Sequence, residues 1–186
     1  MKKNKISFET SFCAELVKGN PFKEFDAFFD FADLDYYKHH LSEVVIYSYK
    51  TKVYEQENPS NVFVFYTAVC SFIKACYCLQ QKSKKWIVTA SLNCETVFHL
   101  SSLTKEEYDN PLIVFQKAFD EKTLEEFEFF LSEIVRLALS PQAGDPDSDH
   151  ATSYIHLIKM LDAVELMRER GIEKIKKTNQ INHVTQ

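Results

Sequence analysis

"NVFVFYTAVCSFIKACYCLQ", residues 61–80, carries no formal charge before Lys74 and holds three of the chain's five cysteines. How this stretch is read decides the fold. A membrane-spanning helix needs about 20 predominantly apolar residues. Here Lys74 breaks the run, and Asn61, Thr67, Ser71 and two tyrosines are scattered through it. A helix that is apolar nearly all round is otherwise one that neighbours cover on several sides. We therefore read residues 60–80 as the central buried helix of a bundle and expect no membrane association.

The flanking sequence supplies the helices that would cover it. In "TLEEFEFFLSEIVRLALS", residues 123–140, Leu124, Phe127, Leu131, Ile134 and Ala138 advance by alternating steps of three and four, which draws one apolar stripe. Thr123 and Glu126 have the spacing of a capping box, and Arg136 stands near the end where the helix dipole favours a cation. Residues 35–56 place Tyr37, Leu41, Val44 and Ser48 on one line, and the spacing predicts a helix there rather than a strand. A third long helix is predicted over 150–175, with Gly171 kinking it or ending its main body. Shorter ones are predicted over Phe8–Lys18 and Pro21–Ala32. Residues 86–101 suit either a helix or a small two-strand ribbon around Asn93.

Turn residues are scarce: three glycines and five prolines in 186 residues, about 4%, against roughly 12% in ordinary proteins. Three of the prolines follow asparagine, at positions 21, 59 and 111, and each pair precedes an apolar run. Asparagine caps free N–H groups, and proline at the first helical position loses an N–H that had no partner, so all three read as helix starts. Only "SPQAGDPDSD", residues 140–149, has the composition of a true loop. The expected architecture is all-α: one multi-helix bundle of six or seven helices over residues 1–177, followed by a disordered tail over 178–186.

The same residues exclude several chemistries. Glycines at 19, 144 and 171 form neither of the usual phosphate-cradling loops. Cys70, Cys76 and Cys78 are spaced by six and two, so no C-x-x-C pair exists. With Cys13 and Cys94 the odd, scattered count suits buried thiols in a reducing compartment. The pairs His39–Glu43 and Glu95–His99 each lie four apart, and they are the ligands to consider if a metal were bound. Neither His-Glu-x-x-His nor Glu-x-x-His occurs, so no metal and no cofactor is expected. "DPDSDH" alternates acids as a calcium loop does but lacks its glycine and its final glutamate.

The net charge of −5 gives no general attraction to nucleic acid. Only Arg168, Arg170, Lys174, Lys176 and Lys177 form a basic run, and nucleic acid is not an expected partner. Glu9 and Glu15 interrupt what would be the apolar core of a signal peptide, so a cytoplasmic location is expected. The sequence thus points to a non-enzymatic interaction or regulatory domain that meets a protein partner or forms a homodimer. The interface candidates are Phe129 and Phe130, because adjacent helical residues diverge by about 100°. The alternative is an enzyme or small-molecule binder with its site between helices, at Tyr36, Tyr37, His39, His40 and Glu43. A third reading uses the basic C-terminal helix to hold nucleic acid.

Overall fold

The computed structural model describes residues 20–54, 60–89, 101–145 and 148–175. These form seven α-helices: α1 (Pro21–Phe31), α2 (Leu34–Ser48), α3 (Ser60–Gln81), α4 (Lys105–Asp109), α5 (Leu112–Glu121), α6 (Leu124–Ala138) and α7 (His150–Arg170). A 3-10 turn at Ser83–Lys85 leads into β1 (Trp86–Val88), which pairs antiparallel with β2 (Ile172–Lys174). The fold is the all-α multi-helix bundle that the apolar spacing predicts.

Local chemistry starts most of these helices. Asn20 accepts from the Phe22 N–H with Pro21 at the first helical position, and Asp33 accepts from the Tyr36 N–H at 2.8 Å. Thr123 and Glu126 close the expected capping box, each side chain taking the other's backbone N–H at 3.2 and 2.7 Å. The pair Asn110–Pro111 works differently from the expectation. Asn110 ends α4, and α5 begins after Pro111 with no side-chain cap.

Two predicted helices stop early. The one expected over 35–56 ends at Ser48, whose hydroxyl turns back to the Val45 carbonyl. The chain then returns to the end of α6, where the Tyr54 N–H donates to the Ala138 carbonyl at 2.7 Å. The helix expected over 150–175 ends at Arg170, because Gly171 takes a φ of 82°, a conformation favouring glycine. Beyond it the chain is strand, not helix. The ribbon therefore forms between Trp86–Val88 and the far end of the described chain, with Ile87 opposite Glu173, and not as a helix starting at Trp86. Residues 90–100, the predicted helix Phe8–Lys18, the Asn58–Pro59 start and the tail over 178–186 lie outside the described residues.

The core has two organising helices. α3 packs against α1, α5 and α6, and α6 packs against α2, α3 and α7. From Phe72 to Leu79 α3 is nearly enclosed, with Phe72, Ile73, Ala75, Cys76, Cys78 and Leu79 buried. Its first half is one-sided, leaving Phe63 and Val64 exposed. By length and composition α3 could cross a bilayer, and half of its apolar window is covered by the rest of the bundle. On α6 the strip Phe127, Phe130, Leu131, Ile134 and Ala138 is buried. Phe127→Ala removes a fully buried ring that meets Phe119 edge-on. Urea unfolding of this variant is expected to show a loss of about 3–5 kcal/mol, against less than about 0.5 kcal/mol for the exposed Phe129→Ala.

Candidate functional site

The cluster named from sequence on α2 is divided by the helix that carries it. Tyr37 turns into the core, where its ring stacks on Phe28 at 3.7 Å and its hydroxyl donates to the Phe28 carbonyl at 2.8 Å. Burial, with a smaller contribution from Tyr36, pushes its phenol far above the usual tyrosine range, so it stays protonated. His39 turns to solvent. Tyr36 and His40 do come together, edge to face at 4.2 Å, and His40 Nδ1 hydrogen-bonds the Tyr54 hydroxyl at 3.1 Å. Burial first and His39 second lower the His40 pKa, against the opposing charge of Glu43. The gap beside His40, Val44, Tyr54 and Phe65 has no room for a water molecule. This is a packed aromatic seam that holds α2 against α3.

Two buried carboxylates escaped the sequence reading. Asp162, in the middle of α7, receives the Lys38 ammonium at 2.6 Å and both the backbone N–H and the hydroxyl of Ser102 at 2.7 Å. Glu107 belongs to a second capping box, with Thr104. It also takes Lys159 at 2.8 and 3.1 Å and Lys117 at 3.4 Å. The signal for Glu107 was present: Thr104-x-x-Glu107 repeats the spacing of Thr123-x-x-Glu126. Nothing in the sequence marks Asp162, since an acid in the middle of a long helix meets such partners only through the fold. Arg170 completes the arrangement by donating to the Tyr108 carbonyl at 2.7 Å with its guanidinium 4.2 Å from the Tyr108 ring centre. Residues 101–109 are thus fastened to α7 at three points.

A cleft of about 570 Å³ opens between α5 and α7. The polar groups on its rim include Lys117, 2.9 Å from Glu106, Lys159, which pairs with Glu107, and His156, which meets Glu121 at 2.8 Å. A smaller space of about 100 Å³ sits beside Asp162 over Leu34 and Leu103. No group of three or more metal-ligating side chains occurs among the described residues, and Glu95 and His99 lie outside them. Cys76 and Cys78 are buried. Burial pushes the Cys76 thiol well up, with Cys78 adding to it, which disfavours its thiolate. Of the basic run, Arg168 is held by Glu165 at 2.7 Å and by Asp26 at 3.4 Å, and lies over the Phe29 ring.

The interface candidates also separate. Phe129 is 67% exposed, whereas Phe130 is 3% exposed and meets His150 edge-on. Phe130 is therefore a core residue, and of the two candidates Phe129 alone is exposed. It lies three residues after Phe127 and four before Ile134, on the flank of the buried stripe. α3 runs antiparallel to α6, as Lys74 pairs with Glu128 at 3.1 Å while Tyr66 hydrogen-bonds Ser132. Phe63 lies one turn from Tyr66 and Phe129 one turn from Ser132. The two exposed rings consequently flank the same α3–α6 seam.

No family model, curated protein or solved structure matches the chain.

Glu107 carries a pH signature. Burial raises its pKa, but hydrogen bonds from Lys159 and the Thr104 N–H, with the charges of Lys159 and Lys117, outweigh this and lower it from 4.5 to about 2. A carboxyl whose folded pKa is depressed adds stability that is present above the unfolded value and lost as pH falls through the folded one. Unfolding titrations between pH 5 and 2 are expected to show this loss in the native chain. Glu107→Gln should be less stable at pH 7 and show a shallower fall across that window.

Proposed function

We propose that this chain is a non-enzymatic interaction domain, working in the cytoplasm, whose α3–α6 flank meets a protein partner or a second copy of itself. The observation that carries this reading is the exposure of Phe63 and Phe129, at 63% and 67%, on the two sides of one helix seam. A phenylalanine ring buries about 150–250 Å² when covered, so each of these exposed rings, Phe63 with its neighbour Val64 and Phe129 across the seam, is apolar surface for a partner to cover. The interior favours no catalytic role. Its buried acids, Asp162 and Glu107, are each neutralised by lysine and hydrogen-bonded to backbone, which is what a structural buried charge requires.

A second reading has one observation in its favour, the cleft between α5 and α7, whose volume falls in the range of small-molecule sites. It places the binding site away from Tyr36–Glu43, where the gap beside His40 has no room for a water molecule. A ligand there would have to displace the Lys117 ion pairs and the contact of His156 with Glu121.

Photo-crosslinking in cells separates these readings. With a benzophenone amino acid in place of Phe129 or Phe63, a discrete adduct to one polypeptide species is expected, while the same probe at the exposed Ile155, on the cleft, should give none. No discrete adduct from either position on the seam would overturn the interaction reading.

A further inference from the structure

The outer face of α6 carries more than an exposed ring. Glu125, Phe129, Ser132 and Arg136 are all exposed. At 100° per residue they fall within about 60° of one another on the helix, a single stripe opposite the buried one. Glu125 and Arg136 stand at its two ends, roughly 16 Å apart at 1.5 Å per residue. Neither takes part in an ion pair among the described residues.

The order of these four residues has a symmetry. The midpoint of Glu125 and Arg136 falls between Phe130 and Leu131, and the midpoint of Phe129 and Ser132 falls at the same place. Turning a second copy of α6 through 180° about an axis through that point lays the stripe on itself antiparallel. Glu125 then faces the partner's Arg136, and Phe129 lies over the partner's small Ser132. Both contacts occur twice. Such self-complementarity is what a two-fold interface requires, since one surface patch must serve as its own partner. The antiparallel arrangement also sets opposite helix dipoles side by side. The acids that would flank the contact are already engaged within the chain: Glu128 with Lys74, and Glu133 with His150 at 2.9 Å.

We propose that the occupant of this face is a second copy of the chain, docked antiparallel α6 on α6, with Phe129 at the centre and two Glu125–Arg136 pairs at the ends. The proposal rests on the reading of the α3–α6 flank as an interaction surface and gives that surface its partner. Helix dipoles alone explain why an acid starts α6 and a base ends it. They do not explain why the two charges share one narrow stripe with the exposed ring between them. A contact built mainly from one helix pair is small, so the dimer is expected to form in the micromolar range, on the order of weak or transient assemblies.

Charge reversal tests the pairing. Glu125→Arg leaves arginine at both ends of the stripe, and Arg136→Glu leaves an acid at both ends. Each single variant therefore meets its own copy with two like-charged pairs. Light scattering and sedimentation from micromolar to several hundred micromolar, with helicity checked by circular dichroism, should show the native chain passing from 21.7 kDa to twice that mass. Each single variant should have its dimerisation weakened roughly 10- to 100-fold. An equimolar mixture of the two variants should recover it, because the all-arginine stripe of one chain then faces the all-acid stripe of the other.

A native chain that stays at 21.7 kDa throughout would overturn the proposal, as would single variants that dimerise like the native chain, or a mixture that fails to recover. A monomeric native chain whose Phe129 position crosslinks to a different polypeptide would remove the self-pairing and leave the broader interaction reading standing.

Discussion

The buried strip of α6 is the contact on which the bundle depends. Phe127, Leu131, Ile134 and Ala138 have no exposed surface, and α2, α3 and α7 all pack on that helix. Burying a large apolar side chain is worth about 1.5–3 kcal/mol relative to leaving it in water, so a strip of this size is a large share of any domain's net stability. The strip also fixes the rotation of α6 about its axis. Once Phe127 and Leu131 point inward, Phe129 has to point outward. The exposed ring is thus a consequence of the core's geometry, and its position is as firmly determined as that of the core residues.

The buried acids are clamps. Taking a carboxylate out of water costs several kcal/mol unless cations and donors meet it, and here two lysines and a backbone N–H serve Glu107, while one lysine and two donors of Ser102 serve Asp162. Their partners come from α2, α5, α7 and the segment before α4, elements distant in sequence. Such contacts hold the 101–109 segment to α7 in one register, which apolar packing alone does less specifically.

Much of this was legible because helix signals are local. The Thr123–Glu126 box and the stripe from Leu124 to Ala138 need no information from beyond 16 residues. Thr104–Glu107 carries the same signal, but the helix it opens has five residues, too few to show an apolar period. The end of α2 at Ser48 was hidden, since the apolar and aromatic residues continue to Tyr54, and only its contact with the end of α6 shows that they have left the helix. The β1–β2 pairing joins residues more than 80 positions apart and has no local trace. Phe129 and Phe130 form the instructive case. Their identities are equal, yet the spacing that drew the stripe already placed Phe129 opposite its centre and Phe130 on its flank. The information was present in the pattern and required only that the stripe be given an angular width.

α6 divides between a face the chain covers itself and an exposed face, which we propose is kept for another molecule. Thiol labelling measures this directly, with Phe129→Cys and Phe130→Cys read by mass spectrometry of the peptide containing each. In dilute protein the thiol at position 129 should react nearly as fast as a free cysteine and the one at 130 should be protected. A thiol at position 129 that is protected even in the dilute chain would contradict the account, because the chain would then be covering that face itself.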